Sequence, residues 1–163
     1  MKPDEQIRRL KQKINDVIKN AECSEFFKPI PDMLRARVRA GFGITAKDSK
    51  GKLTQLDDLA ESTIIHRERL ERRGLLSSET APMISNQTES GNMLDSIIFK
   101  KNGNKYEIGF DNRRKKNGVS PEQIKDYNED NGRLWFGLTA DERDKLQKNV
   151  GKKIEKEIGK LNR

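Results

Sequence analysis

The sequence holds one cysteine, Cys23, and one histidine, His66. A single thiol leaves no internal disulfide framework and no cysteine-rich zinc site, and a single imidazole leaves no histidine cluster for a metal. Aromatic residues make up only 6% of the chain, with one tryptophan, Trp135. Apolar runs are a few residues long, far short of the ~20 a membrane-spanning helix needs. Met1-Lys2-Pro3-Asp4-Glu5 leads into a charged helical pattern rather than the apolar stretch of a secretion signal. These absences predict a soluble intracellular protein of a reducing compartment, with no cofactor and no membrane partner.

Charge is what the sequence has in excess. Of 163 residues, 37% are charged, against a usual ~25%. Lys and Arg number 34 and Asp and Glu 26, so the net charge is +8. Hydrophobic residues are 32%, enough for one modest core. The expectation is a single domain over 1–163, with a helical region 1–40, a flexible loop 41–55 and a core 56–163 that contains a hairpin 93–111 and a last helix 139–161.

The apolar periodicity supports that division. Ile7, Leu10, Ile14, Val17 and Ile18 fall on one helical face, with Arg8, Arg9, Lys11, Lys13 and Asp16 on the other. A helix this short is not stable alone and must pack on something. Pro29 and Pro31 break what precedes them, and 32–40 reads as a short helix closed by Gly41. Its Arg35, Arg37 and Arg39 spread around the helix. Residues 41–55 hold three glycines and few apolar residues, which predicts a loop. A helix over 56–71 follows, with Leu56, Leu59, Ile64 or Ile65 and Leu70 inward and Asp57 and Asp58 at its N-terminus. The polar stretch 77–91 reads as a second exposed connection.

The clearest β signal is 93–101 and 105–111 around Asn102-Gly103-Asn104. Tyr106, Ile108 and Phe110 alternate with Lys105, Glu107 and Gly109, so one face is buried. Ser120-Pro121-Glu122-Gln123 and Thr139-Ala140-Asp141-Glu142 are capping boxes that open two helices. Between them Leu134-Trp135-Phe136 reads as a short apolar strand or edge. The predicted class is α+β: a small antiparallel sheet built on a β-hairpin, packed by amphipathic helices, with long N- and C-terminal helices and two mobile loops.

Catalytic chemistry is not evident. Gly41-Phe42-Gly43 lacks the third glycine and the Lys-Ser/Thr ending of a phosphate loop. His66 lies among Arg67, Glu68 and Arg69 on a charged helix, and Cys23 has no second thiol or imidazole near it and reads as a small packed residue. Adjacent carboxylates such as Asp57-Asp58 point in different directions on a helix. Basic character is the stronger signal. Arg113, Arg114, Lys115 and Lys116 form a basic turn suited to DNA or an acidic partner. Lys145, Lys148, Lys152, Lys153, Lys156 and Lys160 decorate the last helix, diluted by Glu155 and Glu157, and read as a solvated face.

Four blocks in linear order resemble the phage virion-morphogenesis and tail-completion family, over about 53–160. They are Leu53-Thr-Gln-Leu56 with Ser62-Thr63-Ile64 and Arg67; Pro82-Met83-Ile84 with Ser90-Gly91-Asn92-Met93-Leu94-Asp95-Ser96-Ile97; Tyr106-Glu-Ile-Gly109; and Tyr127 to Gly132, then Arg133-Leu-Trp-Phe136-Gly137-Leu-Thr-Ala-Asp-Glu142. Tyr127 stands where the family often has His, and the proline it often carries near Arg133 is missing. The structural anchors of this reading are Gly91, Leu94, Ile97, Tyr106, Ile108, Gly132, Trp135, Phe136, Gly137 and Leu138.

The resemblance implies a non-enzymatic structural protein of a tailed-phage virion. Such a protein forms a homo-oligomeric ring at the head–tail junction or tail end and meets other neck or tail proteins. It would be made in the host cytoplasm and located in the virion. In that setting the loops 41–55 and 77–91 order only on meeting a neighbour. Residues 113–116 would touch passing DNA through phosphate, without reading sequence. The alternative is a small basic nucleic-acid-binding protein.

Overall fold

A computed structural model describes residues 3–76, 92–103, 105–113 and 118–161. Helices α1 (Pro3–Asn20), α2 (Ser24–Phe27) and α3 (Ile30–Arg39) lead into strands β1 (Phe42–Ile44) and β2 (Leu53–Gln55). Then come α4 (Glu61–Arg72), α5 (Asn92–Asp95), the hairpin β3 (Ile97–Asn102) and β4 (Lys105–Phe110), α6 (Pro121–Asp130) and α7 (Ala140–Leu161). The fold is α+β, with two antiparallel two-stranded sheets, β1–β2 and β3–β4, and long helices at both ends.

One core joins these elements. Leu34 and Val38 of α3, Leu56, Met93 and Leu94 of α5, Ile97 and Phe110 of the hairpin, and Trp135 are buried together. Trp135 has no exposed surface. Its ring meets Phe110 edge-on at 6.2 Å and Phe136 at 5.7 Å, the T-shaped arrangement aromatic quadrupoles favour. Ile108, Phe136 and Leu138 pack against the rim of this cluster.

The segment 41–55, expected as a flexible loop, is a hairpin. Phe42 pairs with Gln55 and Ile44 with Leu53. Asp48 Oδ1 accepts from Lys50 N at 2.8 Å to make the turn, and Ala140 N donates to Gly51 O at 2.7 Å. Ile44 N reaches past the sheet to Leu134 O at 2.8 Å. A Cβ on Gly43 would sit 2.3 Å from that same oxygen, so only glycine allows this approach. Leu134-Trp135-Phe136 is therefore a partner of β1 without being a regular strand.

Three other boundaries and one burial pattern differ from the expectation. The helix expected over 56–71 begins at Glu61, because Leu56 N bonds Gly41 O at 2.8 Å and the Leu56 side chain is drawn into the core. Residues 92–95 turn as a short helix before β3, where Ser96 Oγ donates to Met93 O at 2.6 Å. The helix expected over 32–40 starts at Ile30, with Pro31 in its first turn, where its missing N–H costs nothing. On α1 the apolar stripe is not buried along its length. Val17 is 5% exposed, but Ile7, Leu10 and Ile14 are 53%, 59% and 49% exposed.

Both capping boxes form. Gln123 N donates to Ser120 Oγ at 3.2 Å and Ser120 N to Gln123 Oε1 at 2.8 Å. Glu142 N donates to Thr139 Oγ1 at 3.3 Å and Thr139 N to Glu142 Oε2 at 2.7 Å. Each cap stabilises its helix by about 1 kcal/mol.

Candidate functional site

Two features stand out from the fold: a buried arginine that locks the core together, and an exposed basic face. The three arginines of α3 divide by helical geometry. Arg35 and Arg39, four apart, face the hairpin side. Arg35 Nε donates to Leu94 O at 3.1 Å and its Nη2 to Ile97 O, while Arg39 pairs with Asp95 at 2.9 Å. Arg37 points the opposite way and is 8% exposed. Its Nη2 donates to Trp135 O at 2.7 Å and Gly137 O at 2.6 Å, and its Nη1 to Glu142 Oε2 at 3.0 Å. Burial pulls the guanidinium's pKa down, and the charge of Glu142 partly offsets this. One side chain thus binds α3, the 135–137 turn and the first turn of α7.

The hairpin's turn end is held separately. Tyr106 stacks on Phe27 at 4.7 Å, and its hydroxyl accepts from Cys23 N at 3.1 Å. Lys101 pairs with Glu22 and holds that carboxyl well below its usual range, at about 2. Cys23 is buried, and burial raises its thiol pKa. His66 lies exposed on α4. Among the described residues no group of three or more His, Cys, Asp or Glu side chains lies close enough to hold a metal. No described helix is long and apolar enough to cross a membrane.

Of the predicted basic turn, Arg113 is described and Arg114, Lys115 and Lys116 lie outside the described residues. Arg113 is extended into solvent, but its Nε and Nη2 grip Asp111 at 2.9 and 3.0 Å. Asp111 raises its pKa and cancels much of its charge. Among the anchors, Leu94, Ile97 and Trp135 sit in the core, and Tyr106, Ile108, Phe136, Gly137 and Leu138 lie partly buried around it. Gly132 takes φ +78, ending α6 in the left-handed region. Gly91, like the whole stretch 77–91, lies outside the described residues.

The structure adds a basic feature that composition had left as a diluted surface. Lys145, Lys148, Lys152, Lys156 and Lys160 are all exposed and recur every three or four residues along one face of α7. At ~1.5 Å rise per residue this is a row of ammonium groups roughly 22 Å long, with a step of about 6 Å. Glu157 turns beside the row, is partly buried and pairs with Lys160 at 2.7 Å, while Glu155 is exposed at the edge of the row next to Lys148 and Lys152. Lys153 leaves the row to pair with Glu25 at 2.9 Å. The signal was in the spacing of the lysines, hidden by counting charges instead of assigning them to faces.

Comparison of the chain with protein-family models, with curated proteins and with solved structures gives no match.

Proposed function

We propose that this chain is a non-enzymatic structural subunit of a tailed-phage virion, assembling as a homomeric ring at the head–tail junction or tail end. The observation that carries the reading is where the resembling motifs fall. Leu56, Leu94, Ile97 and Trp135 come from three of the separate blocks and meet in one core. The third block supplies Tyr106, which ties the hairpin to 21–24. These motif residues therefore work as packing and turn residues. A rigid scaffold with an exposed apolar helix end is suited to assembly. Particles made without this protein should carry unattached or unfinished tails, and normal infectious particles would refute the proposal.

The lysine row on α7 favours a second reading, a basic protein that binds nucleic acid through phosphate. In the ring it would supply non-specific contact to DNA, in preference to Arg113, whose charge Asp111 absorbs. Alone, it would make the chain a small nucleic-acid-binding protein. The two differ in whether oligomers form without DNA.

A further inference from the structure

The lysines of α7 separate into those with a partner and those without. Lys153 is held by Glu25 and Lys160 by Glu157. Lys145, Lys148, Lys152 and Lys156 are exposed and make no ion pair or hydrogen bond among the described residues. At ~100° per residue these four lie within a sector of about 80°, over about 16 Å of helix. Lys148, Lys152 and Lys156 follow one another four residues apart, and like charges at that spacing oppose the helix. The carboxylates on that side are Asp141 and Asp144, ahead of the row, and Glu155 at its edge, and none of them is bonded to a lysine of the row. A line of anions on the solvent side relieves the repulsion.

The row is lysine alone. Bases are read by arginine, asparagine or glutamine forks and held by aromatic stacking. α7 carries no aromatic residue, and its one arginine, Arg143, is turned away to donate to Leu138 O and Lys47 O. Phe26, which lines a cleft with Lys145, is half-buried. Phosphate is what such a face can hold. A lipid surface would call for apolar side chains beside the lysines, but Leu146, Val150 and Ile154 lie half-buried on the far side of the helix. Among nucleic acids, a duplex presents its phosphates in a fixed array, one charge per ~1.7 Å of axis. The row is likewise fixed, on a helix of 22 residues. A single strand must first be ordered along it, and ordering costs affinity.

We propose that Lys145, Lys148, Lys152 and Lys156 grip the phosphate backbone of duplex DNA, without reading sequence and in preference to a single strand. This rests on the nucleic-acid reading of the row and adds the form of nucleic acid it takes.

The test titrates the full-length protein into a labelled duplex of about twenty base pairs, and into either strand alone, by fluorescence anisotropy over a range of salt. A second, unrelated sequence is treated in the same way. Four contacts predict a slope of log K on log salt of about −3.6 for duplex. With about 0.9 against about 0.7 ions released per phosphate, forms bound equally at ~1 M salt differ about sixfold in favour of duplex at ~0.1 M. The two sequences should agree within about twofold. Lys148→Gln with Lys152→Gln should reduce the slope by about 1.8, and glutamine keeps the helix propensity of lysine. Lys100→Gln with Lys105→Gln removes the same charge from the exposed hairpin and should leave the slope unchanged. Single strands bound as tightly as duplex, or one sequence strongly preferred, would overturn the proposal and leave the nucleic-acid reading standing. Equal losses in the two double variants would overturn the assignment to the row, because net charge alone would then attract DNA. No binding to either form at low salt would overturn both the proposal and the reading, and capture by phosphatidylglycerol vesicles in that case would mark a lipid surface instead.

Discussion

Replacing Arg37 by Met tests the physical account of the core. The guanidinium satisfies two carbonyls, Trp135 O and Gly137 O, and pairs with Glu142. Methionine keeps much of the stem's packing but donates nothing. Each buried carbonyl left bare costs about 1–3 kcal/mol. Glu142 loses less, since it is partly exposed and still accepts from Thr139 N. The sum is about 3–5 kcal/mol, in line with breaking one side of a buried pair. At ~2–4 °C per kcal/mol for a chain of this size, melting should fall by roughly 6–20 °C. Arg37→Lys should recover little, because a point charge cannot reach three acceptors in a fork. The assay is thermal unfolding followed by circular dichroism and by fluorescence of the lone Trp135. A loss under about 1 kcal/mol would refute the claim that Arg37 locks three elements together.

Trp135→Ala should cost about 3–5 kcal/mol in denaturant unfolding, from reduced burial and the cavity left behind. Trp135→Phe should cost clearly less, because the buried Nε1 makes no hydrogen bond among the described residues. Gly43→Ala should destabilise by about 1–3 kcal/mol through collision with Leu134 O, read as a lower melting temperature, and a neutral result would contradict the close approach. Glu22, lowered from 4.5 to about 2, contributes stability that is present above about pH 4.5 and lost as pH falls through about 2. Acid titrations of Glu22→Gln should therefore show a flatter stability slope in that window, and an unchanged slope would remove Glu22 from the account. Replacing Lys148, Lys152 and Lys156 by Gln should lower the salt slope of DNA binding by about 0.9 for each phosphate no longer neutralised, measured by titration at several salt concentrations.

The sequence revealed most where a local rule acts alone. Both capping boxes need only Ser or Thr and a partner three residues on, and both form. The β3–β4 hairpin follows from a glycine turn between alternating residues. The pattern failed where partners are distant in sequence. Three-residue strands such as β1 show no alternation, and β1 depends on Leu134, ninety residues on. Leu56 left its expected helix for the same reason. Arg37 carried no mark distinguishing it from Arg35 and Arg39, since its role depends on carbonyls about 100 residues away. The α1 stripe was legible, but periodicity says that a face needs cover, not which chain supplies it. For the candidate site, the lysine row was visible in the spacing. The absorption of Arg113 by Asp111 was not, because opposite charges two residues apart seldom announce a pair.

The central claim is that this chain assembles with itself. Light scattering of the purified protein over a range of concentrations, at low and moderate salt and with and without DNA, tests it most directly. The account predicts a mass that rises with concentration in the absence of DNA. A monomer at every concentration that grows only with DNA, and loses that growth as salt rises, would contradict it.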